Sequence, residues 1–210
     1  IETTSGNTGF SIAMVSIIKG YDCILAVSSK SSADKIDMLK TMGAKVYVCP
    51  AHVSADDPRS YYEVAKRLHQ EIKGSVYINQ YFNDLNTEAH YKSTGPEIWE
   101  QTEGKITHFV ACSGTGGTIS GTAKYLKEQN PAIQIIGCQP TDGSKIPGIR
   151  RWPIEYRPKI FDPSRVDRIM DISEADATAM TRALAKVEGV FGGMSSGGGV
   201  LASLRLATEL

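Results

Sequence analysis

Acidic and basic residues balance at 23 each over 210 residues, so no whole-protein field draws the chain to nucleic acid or to an anionic membrane. No apolar run reaches the ~20 residues needed to span a bilayer. Internal repeats and low-complexity tracts are absent. None of the four cysteines, Cys23, Cys49, Cys112 and Cys138, has a CxxC partner. Each sits in an apolar run, which predicts buried free thiols in a reducing cytoplasm. The four histidines, His52, His69, His90 and His108, lack the spacing of a ligand set, so they read as solvated or capping residues and no metal is expected. What is present is ordinary for a globular protein, with 41% hydrophobic and 22% charged residues.

Strand and helix patterns alternate along the chain. Helices are expected over 9–19, 32–42, 58–72, 88–101, 118–129, 173–188 and 200–210. Strands are expected at "DCILAV", "AKVYVCP", "SVYIN", "THFVAC", "IQIIGCQ" and "VDRIMDI". No strand is expected before the first helix. Pro96 should kink or restart its helix. Ser173 should cap the helix it precedes, with Asp176 in the capping-box position. Residues 141–165 read as a long irregular connection, and "GVFGGMSSGGG" as a loop. This alternation predicts an α/β fold of two parallel sheets with helices on both faces. A change of character near residue 85 places a boundary between domains 1–85 and 86–210.

Three glycine-rich loops carry the chemistry. In "THFVACSGTGGTISGTAKYL", a buried strand runs through Gly114, Thr115, Gly116 and Gly117 into a helix at Thr118. The glycines let backbone N–H groups converge, the helix start adds partial positive charge, and the two threonines add hydroxyls. This is a phosphate cradle. A Walker A loop is excluded, because Thr122 and Ala123 stand where Lys and Ser/Thr are needed. A dinucleotide fingerprint is excluded too: its third glycine would fall at Ile119, and the next strand ends in Gln139 instead of an acid. A phosphate of mononucleotide size fits better. The second loop, "GGMSSGGG", offers Ser195 and Ser196 before a helix. The third, Thr3 to Gly9, sets hydroxyls and N–H groups at a helix start, which suits a carboxylate, while the Asn7 amide suits a phenolic oxygen. A plain cap would need only one of these residues. Asp56 and Asp57 fit a helix dipole. Arg150 and Arg151, in "GIRRWP", read either as surface charge or as a contact to an anionic substrate group.

Taken together, "TSGNTG", "GTGGT" and "GGMSSGG", in this order, resemble the fold type II (β-family) pyridoxal 5′-phosphate enzymes, in their cysteine synthase and cystathionine β-synthase branch. "NQYFNDLNTEAHYKSTGPEIWEQTEGKITHFVA" and "SKIPGIRRWPIEYRPKIF" resemble the cysteine synthase B group. "SADKIDMLKTMGAKV" and "DDPRSYYEVAKRL" lean to the cystathionine β-synthase side.

The resemblance implies a tryptophan synthase β-like fold. It makes 1–85 a smaller mobile domain and 86–210 a larger cofactor-binding domain, each incomplete at its outer end. It implies that Thr4, Ser5, Gly6, Thr8 and Gln80 bind the substrate carboxylate and that Asn7 holds the cofactor's 3′-oxygen. Gly114, Thr115, Gly116, Gly117 and Thr118 would hold its phosphate, and Ser195 its pyridine nitrogen. The family's Schiff-base lysine is expected upstream of Ile1, so no residue here is assigned as catalytic. The implied reaction is β-replacement on an activated serine (O-acetylserine or O-phosphoserine) by a sulfur nucleophile to give cysteine. The alternatives are cystathionine synthesis from serine and homocysteine, and a noncatalytic cofactor-binding fragment. The expected partners are an amino-acid substrate, a sulfur donor and a second copy in a cytoplasmic homodimer, with neither nucleic acid nor membrane.

Overall fold

The computed structural model describes residues 1–4 and 6–210, which fall into two compact units, Ile1–Gln80 and Tyr81–Leu210. In the first unit, strands β1 (Glu2–Thr4), β2 (Ile24–Ser28) and β3 (Lys45–Cys49) form a parallel sheet in that order. Three helices connect and cover them: α1 (Asn7–Lys19), α2 (Ala33–Thr41) and α3 (Tyr61–Glu71). Side chains alternate across β2, as the period of a strand requires. Leu25 and Val27 pack with Ala13 of α1 and Leu39 of α2, while Ala26 packs with Val64, Ala65 and Leu68 of α3. Both faces are therefore covered by helices, and the strand core reads as an uninterrupted apolar run.

The second unit repeats the plan. Strands β4 (His108–Cys112), β5 (Gln134–Pro140) and β6 (Arg168–Ile172) form a parallel sheet in that order. Helices α4 (Asp84–Ala89), α5 (Gly95–Gln101), α6 (Gly117–Gln129), α7 (Glu174–Ala183) and α8 (Met194–Ala207) surround it. Ile135 and Ala111 face Ile119, Ala123 and Leu126 of α6. Ile136, Cys138, Met170 and Ile172 face Ala177 of α7 and Ala202 and Leu206 of α8.

Several elements differ from the sequence reading. A strand does precede α1: Glu2–Thr4 pairs in parallel with Leu25–Val27. "SVYIN" makes no sheet strand; Ile78 N donates to Ile1 O, but the run joins no ladder. Pro96 does restart its helix, as expected. It stands in the first turn of α5, and a π-helical turn at His90–Thr94 joins α4 to α5. A wider turn absorbs the N–H that proline lacks. Helix α3 begins at Tyr61 under a Ser60 cap. Asp57 instead grips Arg59, accepting from its backbone N–H and from Nε and Nη2. The Ser173 side chain accepts from Asp176 N, as a cap should. Helix α8 starts at Met194 and runs through the glycine triplet instead of following it.

Candidate cofactor and substrate site

Strand β4 ends at Cys112, and α6 begins five residues later at Gly117. The turn between them needs its glycines. Gly116 has φ 85, a left-handed conformation that favours glycine, and a Cβ there would come within 2.5 Å of Phe161. A Cβ at Gly117 would come within 2.1 Å of Asn86 Oδ1. Helix α6 begins at a glycine N-cap with no acidic residue in its first turn, so no carboxylate neutralises its N-terminal partial charge.

The hydroxyls of the cradle are oriented from below. Asn86 Nδ2 donates to Thr115 Oγ1 (3.2 Å), and Gly117 N donates to the same oxygen (3.2 Å). Both acceptor directions of that oxygen are thus in use, which leaves its O–H proton for an outside acceptor. Thr118 Oγ1 lies 3.1 Å from His90 Nε2, and His90 Nδ1 lies 2.9 Å from Thr94 Oγ1. Burial lowers the His90 pKa, which favours the neutral imidazole. With its proton on Nε2, it donates to Thr118 and leaves the threonine proton for an anion. Asn86 and His90 were not found from the sequence. Their signal was the i, i+4 spacing in "NTEAH", which sets both on one helical face.

The irregular connection 141–165 is fastened beside this turn. Arg150 N donates to Ser113 O (2.7 Å) and Trp152 Nε1 to Gly114 O (2.7 Å). A Cβ at Gly148 would lie 3.5 Å from Ser195 Oγ, and a Cβ at Gly114 would lie 3.0 Å from Gly148 O. Gly148 therefore stands between the cradle and Ser195, in the first turn of α8. Arg151 is spoken for, since it forms an ion pair with Asp171 at 3.0 Å.

In the first unit, Thr4 is buried and its Oγ1 accepts from Gly6 N and Gly9 N, each at 3.0 Å. It closes the loop between β1 and α1 from within. Thr8 Oγ1 donates to Gln80 Oε1 (2.9 Å), and Gln80 Nε2 donates to Thr3 O (2.8 Å). Two residues 72 positions apart in sequence are thus fixed side by side. Gln80 N also donates to the carboxylate of Glu2, which takes a second hydrogen bond from Thr3 Oγ1. Burial pushes the Glu2 carboxyl above its ordinary range. Asn7 and Gly6 line a cleft of about 360 Å³ with Phe10 and Lys35. Ser5 lies outside the described residues.

The donor set fits a phosphate ester: a helix start with no acidic residue in its first turn, a glycine turn a Cβ would fill, and two threonine hydroxyls beside it, one bonded by Asn86 and one by His90. Comparison with known proteins agrees. A family profile described as "Pyridoxal-phosphate dependent enzyme" matches residues 1–210. Cysteine synthase B of Pseudomonas aeruginosa is 51% identical over 210 residues, covering 100% of this chain and 69% of that one. Cysteine synthase B of Salmonella typhimurium is 44% identical over 207 residues, covering 99% of this chain and 67% of that one. Cystathionine beta-synthase of Apis mellifera is 36% identical over 221 residues, covering 100% of this chain but 44% of that one. A solved hydrogen sulfide-producing enzyme of Fusobacterium nucleatum superposes with a TM-score of 0.92 at 31% identity, over 99% of this chain and 72% of that one.

Proposed function

Because the chain belongs to the pyridoxal-phosphate-dependent enzyme family, we propose that it serves β-replacement on an activated serine, with a sulfur nucleophile, to give cysteine. The cofactor, when bound, supplies the electron sink that lets the α-proton and the β-substituent leave and a nucleophile add. The chain's own residues bind and orient. Gly114, Thr115, Gly116, Gly117 and Thr118 take the phosphate with backbone N–H groups and two hydroxyls. Ser195 meets the pyridine nitrogen with a hydroxyl, which leaves that nitrogen largely unprotonated, whereas a carboxylate would hold a proton on it. Asn7 gives an amide to the 3′-oxygen. Thr8 and Gln80 act together on the substrate carboxylate, with Gly6 and Ser5 in the same loop, and Thr4 holds that loop's shape. The smaller unit is read as the mobile domain and the larger as the cofactor domain.

The observation that carries this reading is Thr115 Oγ1 at the start of α6, which accepts from Asn86 Nδ2 and Gly117 N and so keeps its own proton to donate. Cysteine formation from O-acetylserine and sulfide by the holoenzyme tests it; absence of product with cofactor bound overturns the reaction, and absence of cofactor binding overturns the site. Cystathionine formation from serine and homocysteine is the second reading, favoured by the 36% identity to the Apis mellifera enzyme. No helix among the described residues is long and apolar enough to cross a membrane. A cytoplasmic homodimer is supported by the four free thiols and by Val15, Ile17 and Ile18, exposed along α1, which a second copy would cover. Sedimentation at the monomer mass would oppose it.

A further inference from the structure

Two of the four cysteines stand side by side. In the β4–β5 ladder, Cys112 is the register partner of Cys138. Neighbouring strands run about 4.7–4.9 Å apart, inside the roughly 4.4–6.8 Å Cα separation that a disulfide spans. The strand period points both side chains to the same face, toward α8. Cys112 Sγ donates to Ser195 O (3.3 Å) and Cys138 Sγ to Gly198 O (3.6 Å). Cys112 is half-buried and Cys138 fully buried. No step of the proposed reaction uses either sulfur.

We propose that Cys112 and Cys138 are a modification site: a dithiol that closes reversibly to a disulfide when a low-molecular-mass disulfide is present, and whose closure reseats Ser195. The more accessible Cys112, as thiolate, attacks one sulfur of RS–SR. A Cys112–S–SR bond forms and one RS⁻ leaves. Cys138 loses its proton and attacks Cys112 Sγ, expelling the second RS⁻. The protein gives up two electrons and two protons, and the reagent becomes two RSH. The greater exposure of Cys112 supports this order of attack, and the influence of the two sulfurs on each other lowers the Cys112 thiol and raises Cys138.

The consequence for α8 follows from the protons. Both sulfurs lose the S–H that each donates to the first turns of α8, at Ser195 O and Gly198 O. Gly199 packs against the same sulfur, since a Cβ there would come within 3.2 Å of Cys112 Sγ. Closing the bond therefore pulls on the turn that carries Ser195. Cys23 and Cys49 are internal controls. They lie in separate clusters on opposite faces of the other sheet and have no such neighbour.

The formation of the bond stands apart from the cofactor reading; only its effect on Ser195 rests on that reading. The holoenzyme is incubated with oxidised glutathione, denatured, alkylated and mapped without reduction. The expected result is one peptide pair joining Cys112 to Cys138 with two hydrogens lost, reversed by dithiothreitol, with Cys23 and Cys49 alkylated. Cys138→Ser should instead trap glutathione on Cys112, and Cys112→Ser should leave Cys138 alkylated. Wild-type protein that carries glutathione on Cys112 beside an alkylated Cys138, or that is alkylated at both, overturns the disulfide. Cofactor fluorescence read on the same samples separates the second half: a linked pair with unchanged cofactor emission overturns the coupling to Ser195.

Discussion

At Thr115 a single proton carries the argument. Its oxygen accepts from Asn86 and from Gly117 N, so valine removes a donor that has no other use. A hydrogen bond to a charged partner is worth roughly 1.5–3 kcal/mol, and every 1.4 kcal/mol is about tenfold in affinity. Thr115→Val should therefore weaken cofactor binding by ten- to a hundredfold in a fluorescence titration; unchanged affinity would place the phosphate elsewhere. Glu2 gives a pH test. Its carboxyl is buried, and burial raises its pKa above the ordinary 4.5. The folded state then holds the proton more tightly than the unfolded one, so the group's stabilisation is full below 4.5 and is lost as pH rises through the raised value. Glu2→Gln cannot titrate. Its melting temperature should gain on wild type as pH rises above 4.5, and a constant difference across that range would sink the idea. The residues that were legible are those whose type names a role, such as the threonines and glycines of "GTGGT". Asn86 and His90 act by orienting those residues across 28 and more positions, a partnership set by the packing of α4 on α6 and invisible in a linear reading.

At the scale of an element, α8 shows why part of the fold was not legible. Glycine lowers helix propensity by about 1 kcal/mol relative to alanine, so three in a row read as a loop. In the structure they let α8 approach its neighbours. A Cβ at Gly197 would come within 2.4 Å of Ala177 O and 2.6 Å of Thr181 N, both backbone atoms of α7 that cannot rotate aside. At Gly198 the nearest neighbours would be 3.6–3.9 Å away, ordinary contact. The two positions should respond with opposite sign. Gly197→Ala sets about 1 kcal/mol of gained propensity against a roughly 1–3 kcal/mol overpacking cost that the rigid backbone places at the high end, so it should destabilise. Gly198→Ala should gain close to the full propensity term. With ~2–4 °C per kcal/mol for a chain of this size, calorimetry should show melting temperatures on either side of wild type. Two shifts of the same sign would mean that packing against α7 is not what these glycines are for. Likewise "SVYIN" has strand composition and meets the outer edge of the sheet at Ile1, through Ile1 N to Val76 O and Ile78 N to Ile1 O, without extending the ladder, and a sequence pattern says nothing of how far two edges run together.

For the whole molecule, the two sheets place their glycine loops by one rule. Each loop follows the carboxyl end of a parallel strand, β1 before "TSGNTG" and β4 before "GTGGT", the end at which open α/β sheets bind ligands. At β4 that much was legible, because strand, glycine turn and helix are contiguous in sequence; β1, three residues long, was not expected. The connection 141–165 bears on which sulfur nucleophile the site should accept. Its Arg150 N and Trp152 Nε1 hydrogen bonds to Ser113 and Gly114 fasten it to the cradle turn, and Arg151 is held by Asp171. Homocysteine brings its own carboxylate and ammonium, and each must find a partner to repay desolvation. Sulfide needs neither. With Arg151 committed to an ion pair, this segment offers one cation fewer to a second carboxylate. The holoenzyme should therefore turn over O-acetylserine with sulfide at a kcat/KM at least tenfold above that for serine with homocysteine, a difference of about 1.4 kcal/mol in transition-state stabilisation. Arg151→Ala should leave the sulfide reaction within a factor of about two, since an exposed pair contributes at most ~1 kcal/mol. Equal or faster cystathionine formation by the wild-type holoenzyme would assign the chain to the other branch.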